Sequence, residues 1–484
     1  MDASVVRCHR NPLSCKTRLK IVIMSKCGLR LADQFVSRLD HQLVLPLTLA
    51  LRNSGVVTTE EAQETLTQIL ALTSFPSSLY AEYGVPFDKE AERRFQAASE
   101  SIEPLEAQLG PFLKACMSMR TASCGPKPLS SWVADWARSN SEKIPPFGVE
   151  ILDVFTKWVR LFYQRGEYSV MRKWLDFAIF VVLENITDEV SVYTEQQLYW
   201  GYLVASLPML GDPSQLLEAA SHSKACHEAD SASPHSIARV LVKLEASVDM
   251  QLQSTPSVRN LEAVEAKTWL LHWAIWASFR YFLPRYVASS SFKVQIPELS
   301  EWIDLLDVLV HERNLKTVEY YAPHLTQYYA VLVLFLRKKP HQRAAVAALA
   351  ARVSFKHTDP YSQFLLALFS EHSLENSLSF LRATLDQDFF IAPLMVHLRA
   401  QAQYLVFETF YRMHEELDAA PLAESLGLTE LELEPLVKAF AQDKTDKCLG
   451  SEIVEGTVRI RAERESLRDV LCARARELIS EQAS

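Results

Sequence analysis

QAQYLVFETFYRMHEELDAAPLAESLGLTELELEPLVKAFAQ at residues 401–442, with GSEIVEGTVRIR at 450–461, decides how this chain is read. In 401–416, Leu405, Phe407, Phe410 and Tyr411 recur at helical spacing. Ala420-Pro421 opens a short second helix and Gly427 marks its end. Thr429 is placed to cap a third helix, with Glu432 three residues on in capping-box register. That helix, 430–443, carries Leu431, Leu433, Leu436, Val437 and Phe440. Beyond Gly450 the period falls to two: Val458 and Ile460 alternate with Thr457, Arg459 and Arg461 after a Glu455-Gly456 turn. Three helices and a hairpin are the layout of a winged helix, which does not by itself say what is bound.

Working outward, 484 residues with 49% hydrophobic content can fill more than one core. Twelve glycines are about 2.5% of the chain, against roughly 7% in average usage. Parallel α/β enzymes need glycine at their tight turns, so tandem helices fit better. The predicted class is all-α: a degenerate helical-repeat (solenoid) array, then the winged helix, then a terminal helix. Helices come in pairs from Phe147 onward, and the turns at Arg165-Gly166 and Gly211-Asp212 lie 45 residues apart, near a two-helix repeat length. LEAVEAKTWLLHWAIWASFRYFL (261–283) and KTVEYYAPHLTQYYAVLVLFL (316–336) each read as one helix, and 93–119 as helix broken near Pro104 and Gly110-Pro111. All nine tryptophans fall between Trp132 and Trp302, as expected of residues buried between helical layers. The last helix places Leu467, Leu471 and Leu478 at coiled-coil-like spacing, widened by Val470 and Ile479, a face suited to a partner helix or to packing back on the chain.

The net charge of −9 argues against bare nucleic acid as the main partner. Residues 421–461 hold eight acids against five bases, and the third helix begins Glu430, Glu432, Glu434, so direct DNA binding is not expected. No apolar run reaches the roughly 18 residues of a bilayer span. Eight dispersed cysteines without a CxxC pair suit reduced thiols in the cytoplasm. Residues 1–30 carry seven cations against Asp2; a mitochondrial presequence, a disordered extension, and sequence ahead of a start at Met24 are the alternatives.

Nucleotide-binding and hydrolase motifs are absent, and no catalytic, cofactor or metal residues are assigned. His222, Cys226, His227 and His235 lack the second cysteine pair that zinc would want. Arg337, Lys338, Lys339 and Arg343 fall in one predicted inter-helix loop, a candidate RNA or ribosome contact whose plainer reading is a solvated loop.

The order of segments resembles the PCI proteins. FVSRLDHQLVLPL (35–47), TWLLHWAIWASF (268–279), YYAPHLTQYY (320–329), HTDPYSQFLLALF (357–369), LDQDFFIAPL (385–394) and LVFETFYRMHEELDAAPLAESLGLT (405–429) resemble, in order, the family of E subunits of eukaryotic translation initiation factor 3. Residues 1–30 have no counterpart, and 110–146 and 185–260 match by helix pattern alone. The expected organisation is a basic, disordered extension at 1–30, N-terminal helices at 31–120, a linker-like segment at 121–146 and helical repeats at 147–284. The helical part of the PCI domain is then 285–400, its winged helix 401–463, and the C-terminal helix 464–484. The resemblance implies a non-catalytic, cytoplasmic scaffold in translation initiation. Its implied partners are the PCI and MPN subunits and the D subunit of that factor, the small ribosomal subunit, and the cap-binding complex. The alternatives are a PCI subunit of the proteasome lid or COP9 signalosome, a winged-helix nucleic-acid regulator, and a metal-dependent enzyme.

Overall fold

The computed structural model describes residues 38–122 apart from 54 and 56, 149–179, 192–210, 237–254, 260–292, 297–335, 340–382 apart from 372, 388–413, 416–442, 451–454 and 457–460. Packing divides the chain into two units, Met1–Leu325 with Asp386–Leu394, and Thr326–Leu385 with Met395–Ser484.

The first unit contains α1 (His41–Asn53), α2 (Thr59–Leu70), α3 (Ser77–Glu82), α4 (Lys89–Glu100), α5 (Ile102–Ala122), α6 (Val149–Gln164) and α7 (Tyr168–Ala178). It continues with α8 (Val192–Ser206), α9 (Ile237–Ser254), α10 (Asn260–Ala277), α11 (Leu283–Phe292), α12 (Pro297–Leu309) and α13 (Glu312–Tyr321). Side chains set the starts. Thr58 and Glu61 form a reciprocal capping box on α2, and Asp88 accepts from the Ala91 amide at the head of α4. Asp40 accepts the Gln42 amide at 2.9 Å, so α1 starts at His41 and residues 38–40 are not helical, later than the sequence pattern suggests.

Prolines account for three further differences from the sequence reading. Pro104 sits in the first turn of α5, where an amide N–H is not needed; α5 then runs unbroken through Gly110-Pro111, and the interruption falls at Ser101. The single helix expected over 316–336 is cut at Ala322, whose φ of −146° reflects the steric limits on a residue before proline; a short 3-10 turn, Pro323–Leu325, follows. Between α10 and α11 the backbone widens into a π turn over Ser278–Phe282, ahead of Pro284, which has no N–H for the ladder.

Gly166 makes the α6–α7 turn at a φ of 74°. A Cβ there would stand 2.7 Å from Leu79 Cδ1 and 3.2 Å from Phe75 Cε1. Around α10 the unit's core is aromatic. Trp273 meets Trp200 edge-on at 4.9 Å, Trp276 meets Phe390 at 5.4 Å, and Phe282 stacks on Trp302 at 6.1 Å. Of the seven tryptophans in described segments, Trp158, Trp273, Trp276 and Trp302 are fully buried. Asp388 caps its own loop through the Phe390 and Ile391 amides, turning both Phe389 and Phe390 onto Trp276.

Several polar groups inside this core pair with one another. Lys267, 2% exposed, bonds Asp249 and lies 3.6 Å from Glu245; Arg313 joins Asp249 and Asn314 bonds Glu245. His272 and His324 approach at 2.8 Å between their Nε2 atoms, with His272 Nδ1 2.7 Å from the Thr268 carbonyl. A carbonyl only accepts, so Nδ1 of His272 carries the proton and its bare Nε2 accepts from His324. Burial, with the Arg38 charge, pushes His272 from 6.5 down to about 3 against the opposing pull of the Thr268 bond. Asp40 accepts from the Tyr163 hydroxyl, and burial raises its pKa.

The second unit contains α14 (Thr326–Phe335), α15 (Pro340–Val353), α16 (Pro360–Leu365) continued by a π turn to Ser370, α17 (Leu374–Arg382) and α18 (Met395–Met413). After these come β1 (Glu416–Asp418), α19 (Ala419–Leu426), α20 (Glu430–Gln442), β2 (Ser451–Val454) and β3 (Thr457–Ile460). The strands form an antiparallel sheet in the order β1-β3-β2, with Leu417 opposite Val458 and Val458 opposite Ile453. Every residue of α14 is buried, which fits its unbroken apolar run.

Candidate interaction surfaces

The described helices between Met395 and Gln442 are held in place by local devices that their sequence encodes. Gly427 takes a φ of 66° and closes α19, with Leu428 donating to the Ala423 carbonyl at 2.9 Å. Two residues on, the Thr429 amide and hydroxyl both donate to Glu432 Oε2, at 2.8 and 2.9 Å, while the Glu432 amide donates back to Thr429. These bonds hold the Glu432 carboxyl below its ordinary pKa. Gln403 ties α18 to the end of α19 through the Leu426 carbonyl at 3.0 Å.

Leu433 and Val437 of α20 are buried together with Leu422, Leu426 and Val458. The opposite face exposes Leu431, at 83%, with Glu432, Glu434 and Pro435. Glu434 pairs with Lys438 at 2.6 Å, leaving a face that is acidic and apolar. Such a face repels a phosphate backbone and suits a protein contact. In the sheet, β3 is paired on both sides, so β1 and β2 are its edges among the described strands.

Arg343 is the one candidate site residue within the described part, and its place corrects the loop reading. Pro340 starts α15, a first position where its missing N–H is harmless, so 340–343 belong to the helix. Arg343 is buried there, its guanidinium carbon 5.2 Å from the centre of the Phe369 ring. Arg337, Lys338, Lys339, Leu467, Val470, Leu471 and Leu478 lie outside the described residues, as do His222, Cys226, His227 and His235. Among the described residues no three His, Cys, Asp or Glu side chains gather as metal ligands. No described helix is long and apolar enough to cross a membrane.

Four of the segments that carry the family resemblance meet in the first unit. The Trp273 indole donates to the Arg38 carbonyl at 3.3 Å, His272 meets His324, and Trp276 meets Phe389 and Phe390. These contacts join the segments at 35–47, 268–279, 320–329 and 385–394. Neither the histidine pair nor the Lys267 cluster emerges from sequence spacing. The available signal is a titratable residue set in an otherwise apolar run, as in KTWLLHWAIW.

No protein-family model matches the chain. Among curated proteins it is similar to the E subunit of eukaryotic translation initiation factor 3 from Brugia malayi, 23% identical over 435 residues covering 86% of this chain and 85% of the relative. It is also similar to the E subunit of the same factor from Caenorhabditis elegans, 22% identical over 88% of this chain and 90% of the relative. For the Bombyx mori counterpart the identity is 22%, over 82% and 80%.

Proposed function

We propose that this chain, a divergent relative of the E subunit of eukaryotic translation initiation factor 3, is a non-catalytic scaffold subunit of the initiation factor 3 complex. The observation that carries the reading is similarity to the E subunits sustained over most of both chains. In this reading residues 401–463 are the winged helix of a PCI domain, and the helices before it present an extended surface. Edge strand β2 pairs with the corresponding strand of a sister PCI subunit by extending the sheet. The leucine face of Leu467, Val470, Leu471 and Leu478 joins a helical bundle with the sister subunits. Arg337, Lys338 and Lys339 form the RNA or ribosome contact, with Arg343 left out because it is buried under Phe369. The partners are the other PCI and MPN subunits, the D subunit and the small ribosomal subunit, with a link towards the cap-binding complex. The protein works in the cytoplasm, and its contribution to mRNA recruitment is by assembly.

Purifying the tagged protein from its own cells tests this directly. Co-purification of other initiation factor 3 subunits with small-subunit ribosomal proteins is the expected result. Recovery with proteasome-lid or signalosome subunits instead overturns the reading.

A further inference from the structure

Counting back along α10 from Trp273 in steps of four gives Trp269, Glu265 and Leu261, one stripe of the helix. Trp273 is fully buried, and Trp269 is half-buried with its ring centre 6.2 Å from that of Trp273. Further out the stripe is open. Glu265 is exposed, Leu261 is 67% exposed, and Glu262 beside it is exposed as well. Neither carboxylate has a hydrogen bond or an ion pair among the described residues. Lys267, the one Lys or Arg of α10, does not offset them, because it is buried against Asp249 and Glu245.

Arg38 meets the buried end of the same stripe. The Trp273 indole donates to the Arg38 carbonyl at 3.3 Å, so the residues ahead of Arg38 set out from beside Trp273. Leu261 lies about 18 Å along the helix from there, at about 1.5 Å per residue. Roughly six residues of extended chain, at about 3.3 Å each, span that distance. The sequence ahead of Arg38 has the complementary character. From 18 to 37 it carries Arg18, Lys20, Lys26 and Arg30 against Asp33 alone, with Ile21, Val22, Ile23 and Leu29 between the cations.

We propose that residues 18–37 of this chain dock along the α10 stripe, with Lys26 and Arg30 against Glu262 and Glu265 and apolar side chains over Trp269 and Leu261. Charge complementarity selects this occupant. The tether at Arg38 makes the contact intramolecular, so it avoids most of the translational and rotational loss of binding a separate partner. Covering Leu261 and Trp269 adds the apolar contribution. Two unpaired carboxylates turn away a phosphate backbone, so nucleic acid does not compete for the stripe.

The test uses the full chain, with the rate of chymotrypsin cleavage after Leu29, Leu31 and Phe35 read by mass spectrometry. Glu262→Lys with Glu265→Lys is expected to speed cleavage several-fold, and so is Lys26→Glu with Arg30→Glu. Combining the two pairs is expected to restore most of the protection, because the charges are exchanged rather than lost. Glu262 and Glu265 are exposed, so thermal unfolding of their double variant should match the unaltered chain. Cleavage of that variant at the original rate overturns the proposal, as does a combined variant no better protected than either pair. Carbodiimide coupling in a mixture of unlabelled and heavy-isotope-labelled chains then identifies the occupant. Lys26 joined to Glu262 or Glu265 of its own chain supports the proposal. Products that mix the two labels overturn it, by making the stripe an interface between copies.

Discussion

Replacing His272 with glutamine should flatten the acid sensitivity of the first unit. In the folded protein burial holds His272 near pKa 3, whereas the unfolded chain titrates near 6.5. The unfolded state therefore takes up the proton first as pH falls. The stabilisation from keeping His272 neutral is complete above pH 6.5 and declines below it, by about 1.4 kcal/mol per pH unit, until the folded pKa is reached. Between about pH 7.5 and about pH 5 the loss from this one residue comes to roughly 2 kcal/mol. Glutamine removes the titration but still offers a carbonyl oxygen to the His324 N–H. Asp40 and Asp359, both raised by burial, act with the opposite sign, and His357 and His397, both lowered by burial, act with the same sign. A double difference between the two proteins and the two pH values cancels all four. Urea unfolding followed by tryptophan emission gives the measurement, because Trp269, Trp273 and Trp276 share α10 with His272. Equal losses of stability in the two proteins would show that His272 is not desolvated as described.

Gly166→Ala and Gly427→Ala should differ although both glycines have positive φ. At Gly427 nothing lies within 4 Å of the new methyl, so only the backbone cost of about 1 kcal/mol applies; at Gly166 the Leu79 and Phe75 contacts should bring the loss to about 3 kcal/mol, both read by denaturant midpoints. Lys267→Met should destabilise the first unit by about 3 kcal/mol in the same assay, since Asp249 and Glu245 lose their buried cation and keep only Arg313 and Asn314 as partners.

What the sequence reveals and what it hides follow a physical division. The Thr429–Glu432 box and the Gly427 stop are legible because each depends on residues within one turn of helix. Strand β1 is not: Glu416-Leu417-Asp418 is too short to show a period, and it becomes a strand through β3, some forty residues on. The cut at Ala322 has a local signal in Pro323, hidden by the apolar runs on either side. Arg343 reads as a surface cation because its neighbours in sequence are basic, while its burial is decided by Phe369 in another helix. Phe355, which is exposed, shows the reverse case, since nothing in the composition of its segment separates an aromatic that is covered from one that is not.

The first unit closes only when Asp386–Leu394 arrives, after the chain has already laid down α14 to α17 of the second. During synthesis Trp276 must therefore wait, without Phe389 and Phe390, while more than a hundred further residues emerge from the ribosome. A chain released early, anywhere before Leu394, would leave that aromatic surface open and prone to aggregation. The two units thus share a single timetable of completion, and a quality-control step that recognises exposed tryptophan would read α10 as a marker of unfinished chains.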